Sequence, residues 1–382
     1  MRTALVAGAR PNFVKIAPLL TALRALPGIE PLVVHTGQHY DESMSGSFFR
    51  DLEMTPPDVN LEVGSASHAV QTARIMERFD AFLDDARVDL VTVVGDVNST
   101  VACALTAAKR HIPAAHVEAG LRSFDRRMPE EINRIVTDAL SSYLFTPSRD
   151  ADENLVREGR PRESIHFVGN VMVDSLLRFR GRARARSRAL EALSLAPRSF
   201  ALLTLHRPEN VDDPEVLGRI LAAVGEIQKD VRVVYPVHPR ARRMMEAAGL
   251  ASRAAAMRGL VMTEPMGYLE FVGLESEALF VLTDSGGVQE ETTILGVPCL
   301  TVRENTERPV TVREGTNRIV GTDVAAVVGA AREIMSGGAT REPRAPELWD
   351  GKAAERIAAV LAGAVGSTNA IRPADGEGVR RA

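Results

Sequence analysis

Cysteine is almost absent from these 382 residues: there are two, Cys103 and Cys299. Both stand in apolar surroundings and read as small buried hydrophobes, which excludes a disulfide framework and a thiolate metal site. No apolar run approaches the roughly 20 residues of a membrane span. No signal-peptide pattern opens the chain either, because Met1 and Arg2 lead straight into a short strand-like run; no membrane partner and a cytoplasmic location are expected. A basic surplus is also missing. The 46 Lys and Arg are set against 50 Asp and Glu, a net charge of −4, so no broad nucleic-acid surface is expected. The Arg-rich run R-F-R-G-R-A-R-A-R-S-R (178–188) lies in a helix-like stretch and reads as a solvated face. The three-glycine dinucleotide fingerprint is lacking too. The turn after the first strand holds only Gly8, so a nicotinamide cofactor is not supported and no cofactor is expected.

What is present is a regular alternation. The segments 3–8, 31–36, 89–96, 113–118 and 142–147 are short, nearly continuous apolar runs bounded by Gly, Pro or Asp. That is the signature of parallel strands buried on both faces, with helical spacing between them, as in 67–86 and 98–110. The alternation restarts after I-H-F-V-G-N (165–170), with strand-like runs at 200–206, 232–238, 259–262, 278–284 and 298–302. A chain of this length exceeds what one core holds. The fold expected is therefore α/β, with two doubly wound Rossmann-like domains facing a central cleft. The domains fall at 1–170 and 171–350, with 171–195 as a helical linker region. A closing helix at about 351–366 packs back on the first domain, and a disordered tail covers 367–382.

In open α/β sheets, ligands bind outside the carboxyl ends of the strands, and the chemistry-bearing residues cluster there. Arg10 and Lys15 follow the first strand and suit a phosphate. L-T-D-S-G-G-V-Q-E-E-T (282–292) places Ser285, Gly286 and Gly287 between a strand and a helix, where backbone N–H groups bind anions. Glu291 is one turn further on, placed for ribose hydroxyls. V-E-A-G-L-R-S-F-D-R-R-M-P-E-E-I-N-R (117–134) interleaves Glu118, Asp125 and Glu130 with four arginines, either as a salt-bridged loop or as the wall of a charged site. Arg134, one turn beyond Glu130, is spaced to orient that carboxylate or to reach a diphosphate. Asp96 in G-D-V-N-S-T reads as a site carboxylate or a helix cap, with Asn98 and Ser99 as rival caps. His206 and His238 end two strands of the second series, and their separation is not metal-ligand spacing, so no metal is expected.

Taken together, G-A-R-P-N-F-V-K, T-G-Q-H-Y-D, G-D-V-N-S-T, H-V-E-A-G-L-R-S, M-P-E-E-I-N-R, H-R-P-E-N, D-S-G-G-V-Q-E-E and T-E-R-P-V resemble the non-hydrolysing UDP-N-acetylglucosamine 2-epimerases over nearly the whole chain. The resemblance implies a glycosyltransferase-B-like fold, a UDP-sugar substrate in the interdomain cleft and a homodimer. It implies that Asp96, Glu118, Glu130 and His206 are catalytic. It sets Arg10, Lys15, Arg134, Phe271, Ser285, Gly286, Gly287 and Glu291 against the UDP-sugar, with Phe271 on the uracil. Gln38, His39 and His238 match residues implicated in activation by a second UDP-sugar. The reaction implied interconverts UDP-N-acetylglucosamine and UDP-N-acetylmannosamine by loss and return of UDP through a 2-acetamidoglucal. The alternatives are a 2-epimerase of a modified UDP-sugar and a hydrolysing enzyme that releases N-acetylmannosamine and UDP. Pro208 and Met128 depart from many bacterial members and look more like the archaeal branch.

Overall fold

A computed structural model describes residues 1–37, 46–186, 188–338 and 344–368. Thirteen strands form two wholly parallel sheets among these residues. In the first, β1 (Arg2–Ala7), β2 (Glu30–His35), β3 (Val59–Asn60), β4 (Leu90–Val94), β5 (Ala114–Val117), β6 (Tyr143–Thr146) and β7 (Ile165–Phe167) run in the order β3-β2-β1-β4-β5-β6-β7. In the second, β8 (Phe200–Thr204), β9 (Arg232–Pro236), β10 (Leu260–Thr263), β11 (Phe280–Thr283), β12 (Cys299–Thr301) and β13 (Asn317–Ile319) run in the order β10-β9-β8-β11-β12-β13. The ten strands read from the sequence are all present. The short β3, β7 and β13 are additions that carry too few residues to show a pattern.

Both sheets reverse their winding direction once, between β1 and β4 in the first and between β8 and β11 in the second. Loops leave such a point in opposite directions and open a crevice at the carboxyl ends. The turns after β1, β4, β8 and β11 carry Arg10, Asp96, His206 and Ser285, and Glu118 follows β5.

The stretch 171–195 joins the halves as packed structure. Leu176, Phe179 and Ala183 of the Val171–Arg186 helix are buried in one core with Phe13 and Ile16 of the first half and Val272 of the second. Its arginines stay near the surface: Arg178 and Arg182 pair with Glu53, and Arg184 with Glu277. The Ala353–Thr368 helix buries Ile357 and Leu361 in the same core. Each such side chain contributes roughly 1.5–3 kcal/mol. The expected tail from 369 on lies outside the described residues. Cys103 and Cys299 are both buried. Among the described residues no helix is long and apolar enough to cross a membrane.

Candidate active site

Glu118 directly follows β5 with a backbone φ of 70°, in the left-handed region that side chains other than glycine avoid. Holding it there costs on the order of 1 kcal/mol. The residue is 3 % exposed; Oε2 takes the Lys15 ammonium and Oε1 is buried without a hydrogen-bond partner. Lys15 comes from the Arg10–Arg24 helix that follows β1. Gly95, after β4, makes the approach possible. Its φ is 72°, and a Cβ there would stand 3.2 Å from Glu118 Oε2 and 3.4 Å from Lys15 Nζ.

Asp96 does not cap a helix. Val97 holds the N-cap position of the Asn98–Lys109 helix, and the Asp96 carboxylate turns to Arg134 Nη1 at 2.5 Å. Burial opposes its charge, but Arg134 and Lys15 outweigh that and hold its carboxyl below the usual range. Asn98 and Ser99 are also buried; Asn98 binds His68 and Gln71, and Ser99 binds Thr36.

Arg134 corrects an expectation. The spacing from Glu130 suggests a pair one helical turn apart, yet Arg134 is 1 % exposed and donates to Glu131 and Asp96. Glu131 lies on the buried side of the Pro129–Leu140 helix, whereas the Glu130 side chain is 30 % exposed. Glu131 also accepts the backbone N–H groups of Ser123 and Phe124, so it pins the loop that follows Glu118. Other charges of the run form ion pairs. Arg122 is buried against Asp138 and Glu158, and Asp125 pairs with the exposed Arg127.

On the second sheet, His206 Nδ1 lies 2.9 Å from Asp284 Oδ1. Asp284 is fully buried and also accepts from the backbone of His206 and Arg207 and from Asn210. Burial again opposes its charge, and His206 with these donors keeps the carboxyl below its usual range. The bond fixes the Nδ1–H tautomer and leaves Nε2 as the ring's other polar atom. His238 lies beside it, ring centroids 6.1 Å apart, and its side chain accepts from Arg240 N as the N-cap of the Pro239–Ala247 helix. Gln38 and His39 lie outside the described residues.

Ser285 occupies the N-cap position of the Gly286–Leu295 helix without a side-chain capping bond. The opening N–H groups of that helix point at the crevice end of β11. Gly286 is required there for a reason the pattern does not reveal: a Cβ would fall 2.3 Å from Arg308 Nη1 and 2.8 Å from Glu307 Oε1. Glu290 and Glu291 are both buried. Burial raises both carboxyls; for Glu290 the pull of Arg308 partly offsets this while nearby Glu118 adds to it. Phe271 is half-buried against the cluster containing Phe200 and Val281. The Arg10 guanidinium lies 5.1 Å from the Phe48 ring centroid.

The two halves meet at these loops. Arg207 Nη1 lies 3.6 Å from Glu130 Oε1, and Arg303 Nη2 lies 3.8 Å from Met128 Sδ. Asp96, Glu118, Lys15 and Glu130 on one side therefore face His206 and the Gly286–Leu295 helix start on the other. Sequence reasoning missed Asp284, Arg207, Glu290, Arg303, Glu307 and Arg308. T-E-R-P-V was the available signal for Glu307 and Arg308, and H-R-P-E-N for Arg207. Among the described residues no group of three or more His, Cys, Asp or Glu could hold a metal ion.

A family model described as UDP-N-acetylglucosamine 2-epimerase matches residues 21–362. A UDP-N-acetylglucosamine 2-epimerase of Methanocaldococcus jannaschii is 42% identical over 365 residues, covering 94% of this chain and 99% of that protein. A UDP-2,3-diacetamido-2,3-dideoxy-D-glucuronate 2-epimerase of Pseudomonas aeruginosa is 41% identical over 366 residues, covering 95% and 99%. The crystal structure of a Methanocaldococcus jannaschii UDP-GlcNAc 2-epimerase in complex with UDP-GlcNAc and UDP superposes with a TM-score of 0.87 at 41% identity, over 94% of this chain and 99% of that one.

Proposed function

This chain belongs to the UDP-N-acetylglucosamine 2-epimerase family, and on that premise we propose that it interconverts UDP-N-acetylglucosamine and UDP-N-acetylmannosamine. The observation that carries the reading is the buried Glu118 carboxylate, paired with Lys15 and facing a helix start suited to a diphosphate. A sugar C2–H becomes acidic only as the C1–O bond to the diphosphate breaks. Arg10, Lys15 and the Ser285–Gly287 turn stabilise the charge developing on the departing UDP. Glu118 takes the C2 proton, the C2–H electrons become the C1=C2 bond, and the C1–O electrons leave with UDP. Asp96, braced by Arg134, assists this half. Glu130 and His206 serve the return, in which a proton adds to C2 on the opposite face and UDP re-forms the bond at C1. Each acid–base contribution is typically about 10²–10⁴-fold. Glu291 and Phe271 hold ribose and uracil in the same reading. No cofactor is consumed, because every bond broken is re-formed.

The near-equal likeness to the P. aeruginosa enzyme favours a second reading: a 2-acetamido UDP-sugar further substituted at C3 and C6, undergoing the same C2 chemistry. The domain division at 1–170 and 171–350, a homodimer, a cytoplasmic location and a supply of UDP-sugar to polysaccharide synthesis belong to the same proposal. The test is incubation with UDP-N-acetylglucosamine in D₂O without cofactor, followed by NMR. Deuterium at C2 in a gluco–manno mixture is expected. Free N-acetylmannosamine with UDP would indicate hydrolysis instead. No conversion of this sugar, with conversion of the diacetamido-uronate nucleotide, would select the second reading.

A further inference from the structure

Glu307 stands at the centre of an ionic cluster in the crevice. It is fully buried, and three guanidiniums meet on it: Arg308 Nη1 at 2.6 Å, Arg303 Nη1 at 2.9 Å and Arg207 Nη2 at 3.1 Å. Each arginine extends a second arm away from Glu307. Arg308 places Nε 2.6 Å from Glu290, and its guanidinium lies where a Cβ on Gly286 would be. Arg207 reaches Glu130, and Arg303 reaches Met128. Met128 is the N-cap of the Pro129–Leu140 helix, and Glu130 is in its first turn. One carboxylate thus fixes Arg308 at the helix start proposed for the diphosphate, Arg207 against Glu130 and Arg303 against the N-cap of the helix that carries Glu130.

We propose that Glu307 is a positioning residue for the second half of the reaction: through Arg207 and Arg303 it sets where Glu130 stands against C2. The inference rests on the functional reading above. The elimination half uses Glu118, Asp96 and Lys15, which Glu307 does not touch, and the Ser285–Gly287 turn, which it meets through Arg308 and not through Arg207. The return half uses Glu130, which it holds at one remove. Burying an anion this deeply is tolerated only because three cations and their N–H groups meet it, and removing it leaves those cations uncompensated. Arg207 then has no anchor behind it, and its hold on Glu130 relaxes.

The prediction is a partition between the two half-reactions. In single-turnover quench experiments, Arg207→Lys, which keeps the charge but cannot fork between Glu307 and Glu130 and leaves Arg308 in place beside Gly286, converts UDP-N-acetylglucosamine to UDP and 2-acetamidoglucal within about 3-fold of the wild-type rate of substrate loss. Formation of the C2 epimer falls by roughly 10²-fold, the low end of one acid–base contribution. Released UDP and glucal accumulate. Glu307→Gln also loosens Arg308 beside Gly286, so it slows both halves, with epimer formation falling by at least about 10-fold more than elimination. A parallel fall in elimination and epimer formation would give Glu307 a purely structural role and overturn the inference, as would an unchanged epimer yield in both variants. A wild-type enzyme that forms neither glucal nor epimer from any 2-acetamido UDP-sugar would overturn the functional reading, and this inference with it.

Discussion

The Lys15 ammonium sits on the carboxylate of Glu118, and Glu118 reaches it from a left-handed backbone position next to Gly95. An outlier of this kind persists only where the surroundings over-determine it. The pair joins the helix after β1 to the end of β5, across β4. Two strand ends are thereby tied into one charged unit at the winding reversal of the first sheet.

Glu118→Gln keeps the shape and removes the base. The expected outcome is loss of C2–H exchange by about 10²–10⁴-fold, with UDP affinity within about 3-fold of wild type by calorimetry. Retained turnover would take Glu118 out of the proton-transfer chemistry. Its buried, partnerless Oε1 would then need another explanation.

The fold was largely legible because every central strand is a continuous apolar run bounded by a breaker. Burial on both faces erases alternation and leaves that plain signal. The strand ends were legible for the same reason, so Asp96, Glu118 and His206 could be placed before any coordinates. Partnership was not legible. Arg134 is close in sequence to both Glu130 and Glu131, and only the buried side of the helix decides that it serves Glu131. His206 and Asp284 are 78 residues apart and meet because β8 and β11 are neighbours. T-E-R-P-V marks Glu307 but not its partnerships; three arginines converge on it from two loops.

Asp284→Asn tests the His206 pair. Asparagine offers one oxygen where the carboxylate now serves the His206 ring and the N–H groups of His206, Arg207 and Asn210. Its amide also cannot counter an imidazolium. A fall in kcat of at least about 10²-fold is expected by analogy with carboxylate-oriented histidines elsewhere. A drop of several degrees in Tm should accompany it, since a buried hydrogen-bond hub is broken. Unchanged kcat would make the His206–Asp284 contact a purely structural one.

Gly286→Ala probes the phosphate end. The new methyl would overlap Arg308, whose guanidinium is locked by Glu290 and Glu307 and cannot swing aside without breaking a buried ion pair. The start of the Gly286–Leu295 helix must shift instead. Its N–H groups then no longer converge on an anion. UDP should bind about tenfold more weakly by calorimetry, a change of roughly 1.4 kcal/mol. Wild-type affinity would exclude this helix start as the diphosphate cradle.

Asp174 gives a stability prediction away from the chemistry. It is 4 % exposed on the Val171–Arg186 helix and accepts the backbone N–H groups of Ala353 at 3.1 Å and Ala354 at 2.7 Å, so it caps the closing helix from another element. Burial pushes its carboxyl up to about 6, against the opposing pull of those two bonds. A folded-state value above the unfolded one means that the native state holds the proton more tightly. The stabilisation is therefore full below about pH 4 and is lost as pH rises through about 6. An asparagine side chain does not titrate, so the difference in unfolding free energy between wild type and Asp174→Asn isolates this group from the other carboxylates. That difference should shift against the wild type by about 2 kcal/mol between pH 4 and pH 7, read from urea unfolding at each pH. A difference that stays flat, or moves in favour of the wild type, would mean that Asp174 is held ionised by the closing helix rather than neutral beneath it.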